Sequence, residues 1–411
     1  MLPKNWREIE LADLSVKPIS YGIVQTGESI KKGVPCVRVV DLTASKIDFC
    51  KMITTSEEIS QSYKKTILEK GELMLALRGE IGLVRMVDEQ LAGCNLTRGI
   101  ARISPNTKMV LPEFLLWAIR SPLFRDDLLR RVNGSALQEI PIAELRKTIV
   151  PVPPLHEQKK IAEILVTWDE AIALTERAIE AKQKLKNSTQ KHLLSGSFRF
   201  DQFKTTQWKM TCLKDCVAFV RDGTHGTHQR IDAQQGVPLL SAVNISKYGE
   251  IIINSDTTYI SKGEYQKIHS KYELEENDLL LTVVGTLGRR ALILKSTPKF
   301  AFQRSVAVIR FRESILPRFA YHYAGSTLFQ YELKKRANVT AQPGVYLGEL
   351  EKMRIPLLRL EEQKRIADLL DKFDQEIRIL RELKNSYQRQ KQGLMQKLLT
   401  GEWRVAFQEA A

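Results

Sequence analysis

HEQKKIAEIL, His156 to Leu165, and EEQKRIADLL, Glu361 to Leu370, are one helix start written twice in a single chain. Further along, LLSGSFRF (Leu193 to Phe200) faces LLTGEWRV (Leu398 to Val405). The likeness extends outward from both motifs. Trp6, Leu11 and Asp13 recur as Trp208, Leu213 and Asp215, and Gly33-Val34-Pro35 recurs as Gly236-Val237-Pro238. Gly79 and Gly82 match Gly285 and Gly288; Leu111-Pro112 and Phe114 match Leu316-Pro317 and Phe319. Arg131 and Asn133 match Arg336 and Asn338, and Glu144-Leu145 matches Glu349-Leu350. The separation runs from 202 residues (Trp6 to Trp208) to 206 (Gly79 to Gly285). That is too long for a solenoid repeat and reads as a duplicated domain pair.

Each copy has the same internal order. Short β-rich runs broken by Gly and Pro come first. LMLALRG (Leu73 to Gly79) and LLLTVVG (Leu279 to Gly285) read as buried strands ending at glycine, with further strands at Ala101 to Ile103 and Ala307 to Ile309. LPEFLLWAIRS, Leu111 to Ser121, reads as a helix with Pro112 near its start. This is an α+β pattern, without the regular alternation of a doubly wound sheet.

A long helix closes each copy. Apolar residues fall at Ile161, Leu165, Trp168, Ile172 and Ile179 in the first, and at Ile366, Leu370, Phe373, Ile377, Leu380, Tyr387, Leu394 and Leu398 in the second. Steps of three and four alternate, which is coiled-coil spacing. Thr175, Lys384 and Lys391 on that seam, with Lys184 nearby, make its packing uneven. Pro153, Pro154 and Pro356 punctuate the helix starts, and Gly196 and Gly401 suit the C-terminal ends. A helix of about 38 residues is roughly 57 Å long. Two such helices, paired antiparallel, would place the β-rich domains at opposite ends.

Composition narrows the class. The 411 residues allow two to four domains at roughly 100–200 residues each. Lys and Arg outnumber Asp and Glu by 63 to 48, a net charge of +15, which points to a polyanionic partner, most often nucleic acid. No apolar run is long enough to span a bilayer, and MLPKNWREIE carries no signal core, so a cytoplasmic protein is expected. The five cysteines are odd in number and irregularly spaced, so free thiols are expected rather than a disulfide framework or a zinc site.

Catalytic motifs are not evident. GIVQTGES, Gly22 to Ser29, has the outline of a phosphate-binding loop, but Glu28 stands where its lysine belongs. There is no dinucleotide-type glycine fingerprint, no Asp/Asn-Pro-Pro-aromatic motif of amino-methyltransferases and no Pro-Asp followed by the acidic-x-Lys cluster of the common nuclease core. No cofactor, metal or catalytic residue is assigned to this chain.

The polar cluster RDGTHGTHQR, Arg221 to Arg230, stands out. His225 and His228 admit a metal reading without a third ligand nearby, and a solvated loop is a further reading. A DNA-contacting loop fits Arg221, Thr224, His225, Thr227, His228 and Arg230, which offer donors to base edges and phosphates, with glycines that allow close backbone approach. The equivalent stretch of the first copy is ISYGIVQTG, Ile19 to Gly27, with Tyr21, Gln25 and Thr26. Arginines near strand ends add Arg38, Arg78, Arg85 and Arg98 in the first copy and Arg289, Arg290 and Arg304 in the second, Arg98 and Arg304 being matched. The copies agree in framework and differ in polar loops, as reading two sequences with one fold requires.

The doubled Leu-x-Glu-Gln-x-x-Ile-Ala-x-x-Leu helix with a proline four residues ahead of it, at Pro151 to Leu165 and Pro356 to Leu370, resembles that of the specificity subunit of type I restriction–modification enzymes. DGTHGT, Asp222 to Thr227, resembles the loop that opens many recognition domains of that family, although His228 stands where proline often follows. The resemblance implies target-recognition domains at 1–152 and 199–355, a central spacer helix at 153–198 and a C-terminal spacer helix at 356–411. Each domain would read one half of a split, asymmetric site in double-stranded DNA. The helices would set the gap and dock two modification subunits that supply S-adenosylmethionine, joined by ATP-driven restriction subunits. Two other classes remain open on residues alone. One is a non-catalytic adaptor binding nucleic acid or a membrane surface without sequence preference. The other is a stand-alone enzyme such as a methyltransferase.

Overall fold

A computed structural model describes residues 2–44, 47–132, 138–338 and 343–405. Asn133 of the repeat pairs lies outside them. The chain divides into two compact units, Met1–Glu176 with Glu382–Ala411, and Arg177–Arg381. Each long helix contributes to both units.

The duplication holds strand by strand. In the first unit a four-stranded antiparallel sheet runs in the order Ser15–Tyr21, Ile100–Pro105, Leu73–Ala76, Val84–Met86. Its counterpart runs Val217–Asp222, Val306–Phe311, Leu279–Thr282, Arg290–Leu292. A three-stranded sheet (Ile53–Thr55, Val34–Val37, Asn95–Leu96) is matched by Thr258–Ile260, Val237–Leu240, Ala301–Phe302, each with one parallel pair. A two-stranded ribbon joins Arg7–Glu10 to Ile149–Val152, and Lys209–Cys212 to Arg354–Leu357.

The uninterrupted apolar strands have a simple cause: both their faces are covered. Leu73 and Leu75 join a core with Phe114, Trp117, Ile161 and Leu165, while Met74 and Ala76 join another with Val37, Leu42 and Leu96. In the second unit Leu279 and Leu281 join Phe319, Tyr323, Ile366 and Leu370, while Leu280 joins Leu240, Phe300 and Phe302. The period of two sorts one strand between two cores. The helix Pro112–Arg120 starts with proline in its first turn, as its sequence indicates. The matched Arg131 and Arg336 each bridge two carboxylates, Asp127 and Glu144 or Glu332 and Glu349.

The long helices are Leu155–Ser195, of 41 residues, and Leu360–Leu399, of 40. Within the first unit they run antiparallel: Trp168 meets Tyr387 edge-on at 5.5 Å, Asp169 pairs with Lys391, and Glu176 with Lys384 at 3.1 Å. Within the second unit Lys182 pairs with Glu376 at 2.7 Å, and Lys186 with Asp374, again antiparallel. Lys184, beside the seam, is exposed, and Lys186 is buried, because the helical period carries residue 186 inward. Thr175 is buried and bonds back to the Ala171 carbonyl at 2.7 Å.

The two repeated motifs explain each other in space. Gln158 accepts from Leu111 N–H at 2.7 Å and donates to the Met109 and Pro153 carbonyls; Gln363 does the same with Leu316, Ser314 and Leu358. The preceding glutamates are buried, Glu157 at 2% and Glu362 at 1% exposure, and a carboxylate so placed needs charged donors. Arg404 gives Glu157 two bonds, at 2.7 and 2.9 Å, and Trp6 Nε1 gives a third at 3.1 Å. Arg199 gives Glu362 two, at 2.9 and 2.7 Å, and Trp208 Nε1 a third at 3.3 Å. Each arginine belongs to the motif that ends the other long helix. The turn that delivers it uses Gly196 or Gly401, both at positive φ (75° and 74°).

Arg199→Met leaves the Glu362 carboxylate buried with a single indole donor. The expected loss is about 3 kcal/mol for the second unit, read by urea-dependent hydrogen exchange at residues 279–282. Adding Glu362→Gln recovers most of that loss; a double variant as unstable as Arg199→Met would rule out the ion pair as its origin.

A second outcome concerns pH. His322 is wholly buried, with Nε2 2.7 Å from Asp371 Oδ1, and Asp374 and Lys186 nearby. Burial holds its pKa below the ordinary 6.5, against the pull of Asp371. The unfolded imidazole protonates first as pH falls. The stability from the neutral ring is therefore complete above pH 6.5 and is lost as pH drops through that value toward the folded pKa. Burial shifts His269 the same way. The second unit should melt lower at about pH 5.5 than at about pH 7.5, and His322→Gln should narrow the difference. Equal narrowing by an exposed histidine variant of the other unit, His156→Gln, would reject the assignment.

Candidate nucleic-acid interface

The same backbone frame builds a cleft in each unit. In the first, the strand Ser15–Tyr21 ends at Gly22, whose N–H donates to the Ile100 carbonyl at 3.2 Å. Ile23 N–H donates to Leu96 O at 2.7 Å, and Arg98 N–H returns to Ile23 O at 2.8 Å. In the second, Gly223 N–H meets Val306 O at 3.2 Å, Thr224 N–H meets Phe302 O at 2.9 Å, and Arg304 N–H returns to Thr224 O at 3.1 Å. A Cβ at Gly22 would sit 2.0 Å from Leu96 O, and one at Gly223 1.9 Å from Phe302 O. These glycines allow the close approach of the chain to itself. The opposite wall is also shared: Arg78 bridges to Glu139, and Val284 to Gly344.

The side chains on that frame differ. The first cleft, of about 580 Å³, is lined by Thr26, Arg38, Arg78 and Arg98, with Ile23, Val24, Val39 and Val40 between them. Arg98 is 47% exposed, with Glu139 3.8 Å away. Arg38 is more committed: its guanidinium holds Asp41 through two bonds, at 3.0 and 2.8 Å, and the Lys51 carbonyl at 2.9 Å. The Asp41 bond raises its pKa. Tyr21 and Gln25 are exposed beside the cleft. Arg85 lies elsewhere, with Leu42 O accepting from its Nε at 2.8 Å.

The second cleft, of about 570 Å³, is lined by Asp222, His225, Arg304, Asn338 and Tyr346. His225 Nε2 lies 2.8 Å from Asp222 Oδ2, and the ring is 64% exposed. Arg221, Thr227 and Arg230 are exposed on the same stretch. Arg221 lies over the Tyr272 ring at 5.3 Å. His228 turns inward instead: its ring nitrogens meet Thr224 Oγ1 at 2.8 Å and Glu264 Oε1 at 3.1 Å, which ties the loop to the domain. Arg289 and Arg290 are outside this cleft, donating to the Ile245 and Tyr321 carbonyls at 3.1 and 2.7 Å. Among the described residues no group of three His, Cys, Asp or Glu is placed to hold a metal ion.

Tyr346 and Glu139 had not stood out in the sequence. Tyr346 is 71% exposed, and Pro141 occupies the matched place in the first unit, so a difference between the copies was the available signal. The five cysteines are free; Cys36 and Cys94 lie in the interior of the first unit, where burial pushes each thiol up to about 11.

A duplicated α+β frame with two unlike polar clefts defines a class, and comparison names it. The family described as the type I restriction modification DNA specificity domain matches residues 3–184 and again 207–388. The chain belongs to this family and carries its domain twice. It is 29% identical to the type I restriction enzyme EcoBI specificity subunit of Escherichia coli over 51% of its own length and 44% of that protein. It is 26% identical to the putative type I restriction enzyme MjaX specificity subunit of Methanocaldococcus jannaschii, over 98% of this chain and 95% of that one. The crystal structure of a type I restriction–modification S subunit from M. genitalium shares the fold, with a TM-score of 0.61 at 16% identity over 97% of this chain and 98% of that one.

The shared frame is testable at its tightest point. Gly223→Ala forces a methyl group onto the Phe302 carbonyl and should cost about 1–3 kcal/mol. Amide exchange at residues 301–306 should rise several-fold while residues 95–100 of the first unit stay protected. Unchanged exchange at 301–306 would show that the loop is not held as described.

Proposed function

We propose that this chain is the sequence-reading subunit of a type I restriction–modification assembly and has no catalytic role of its own. Each unit reads one half of a split, asymmetric site in double-stranded DNA. The observation that carries this is the pair of clefts: backbone bonds match one for one, while Ile-Val-Gln-Thr (Ile23 to Thr26) stands against Thr-His-Gly-Thr (Thr224 to Thr227). Frame sets position and side chains set sequence preference. Arg98 and Arg304, held at one backbone position, suit guanine edges or phosphates. The +15 charge supports a polyanionic partner.

The paired long helices set the spacing between half-sites and dock two modification subunits, which bring S-adenosylmethionine and methylate adenine. Restriction subunits with their ATP and Mg²⁺ join that core. A cytoplasmic setting follows from this role; no helix among the described residues is long and apolar enough to cross a membrane.

The deciding experiment maps methylated adenines in DNA from cells expressing this chain with its modification subunit. A split motif with a fixed gap, lost on deletion of the chain, is expected. Replacing residues 1–150 should change one half of that motif only. No chain-dependent methylation, with the modification subunit present and folded, would favour a non-specific adaptor.

A further inference from the structure

Away from the recognition cleft, the second unit gathers Lys186, Lys247, Arg290 and Arg381 with Asp374 around a polar pocket of about 180 Å³. Four cations face one carboxylate among these side chains. Lys247 and Arg381 have no hydrogen-bond or ion-pair partner among the described residues; they lie 5.0 and 3.4 Å from the Tyr248 ring centre. Arg290 donates Nε to the Tyr321 carbonyl at 2.7 Å and lies 4.7 Å over the Tyr321 ring. Lys186 is buried and pairs with Asp374. Burial holds its pKa below the ordinary lysine value, and the charge of Arg290 pushes the same way. Like charges held this close repel one another.

The first unit keeps part of this arrangement with different residues, although Glu176 stands at the place of Arg381. Lys391 and Asp169 stand at the places of Lys186 and Asp374 and pair likewise. The arginine has moved. Where the second unit has Arg290 on the strand and Gly325 at the C-terminal cap of the helix, the first has Val84 and Arg120. Arg120 reaches back to the Val84 carbonyl at 3.4 Å. Arg290 fills the space beside Gly325 so closely that a Cβ there would lie 1.8 Å from its Nη2. A guanidinium thus fills one strand–helix contact in both units, supplied from opposite sides. Arg120, Arg125 and Lys391 line the resulting cleft. Packing alone is satisfied by an apolar side chain; here the charge has been kept while its carrier changed.

We propose that this basic pocket binds a phosphate-class oxyanion, borne by a free phosphate ion or by a nucleic-acid backbone. Planar guanidinium forks match tetrahedral oxygens, and lysines add point charge. The volume exceeds that of several waters at about 30 Å³ each, so such an anion fits with part of its hydration shell.

The test titrates the full chain with inorganic phosphate at constant ionic strength, with chloride as the reference. Wild type is compared with the double variant Lys247→Gln/Arg381→Gln, which breaks no hydrogen bond in the described structure and whose fold is checked by circular dichroism. Saturable phosphate binding, weakened at least about tenfold in the double variant, supports the proposal with a free ion as ligand. A second arm measures binding to unrelated DNA duplexes across salt. If free phosphate does not saturate, a DNA affinity reduced equally for all sequences in the double variant, with a shallower salt slope, supports the backbone phosphate. Phosphate binding unchanged by the substitutions overturns the proposal. So does absence of phosphate binding with DNA binding unaltered or absent; the phosphate arm does not depend on the chain reading DNA.

Discussion

A buried carboxylate must have its charge answered, and in this protein that requirement organises the chain. Glu157 and Glu362 sit at the starts of the long helices, beneath the domains those helices leave. Neither finds its cation in its own neighbourhood. Each takes an arginine from the segment that follows the other helix, with a tryptophan from the start of its domain as third donor. The helix that carries the glutamate is therefore bound to the helix that delivers the arginine. Antiparallel pairing within each unit, the glycine turns at the helix ends and the retained tryptophans all serve this closure. The neighbouring glutamines Gln158 and Gln363 complete it by tying the helix start to three backbone groups of the domain.

Repeats made the architecture legible before any coordinates. Strand runs such as Leu73–Ala76 showed their double burial as unbroken hydrophobicity, and the helix seams showed their spacing. What spacing could not convey was partnership. Glu157 and Arg404 are 247 residues apart, and nothing in either motif points to the other. Lys186, two residues from the lysine noted beside the seam, is buried, since a shift of two places turns a helix through more than half a turn. In the clefts, matched positions such as Arg98 and Arg304 were legible because the copies align there. Individual polar residues were not. His228, Arg38 and Arg289 already direct hydrogen bonds to Thr224, to Asp41 and to the Ile245 carbonyl. Hydrogen-bonding capacity is visible in a sequence; whether it is already used is not.

The two clefts separate constancy from change with little interference. Backbone bonds at Gly22, Ile23 and Arg98, and at Gly223, Thr224 and Arg304, hold the loops without help from most of the side chains that vary. Substitutions at Val24, Gln25, His225 or Thr227 alter what the cleft presents and leave its support in place. Such a frame can diverge between copies without refolding. Its weak point is the glycine, where one carbon collides with the opposing carbonyl.

The closure through Arg404 also sets an order of manufacture. A ribosome emits the chain from its N-terminus at about 5–20 residues per second. The second unit, Arg177–Arg381, is a single contiguous stretch and has every part it needs once its last residue emerges. The first unit is begun before it, yet lacks Leu398, Leu399 and Arg404 until after the second has been made. During that interval Glu157 awaits its cation and the first core lies open along one helix. Of the two units, the one begun first is finished last, and its core helix stays unpaired along that seam in the meantime.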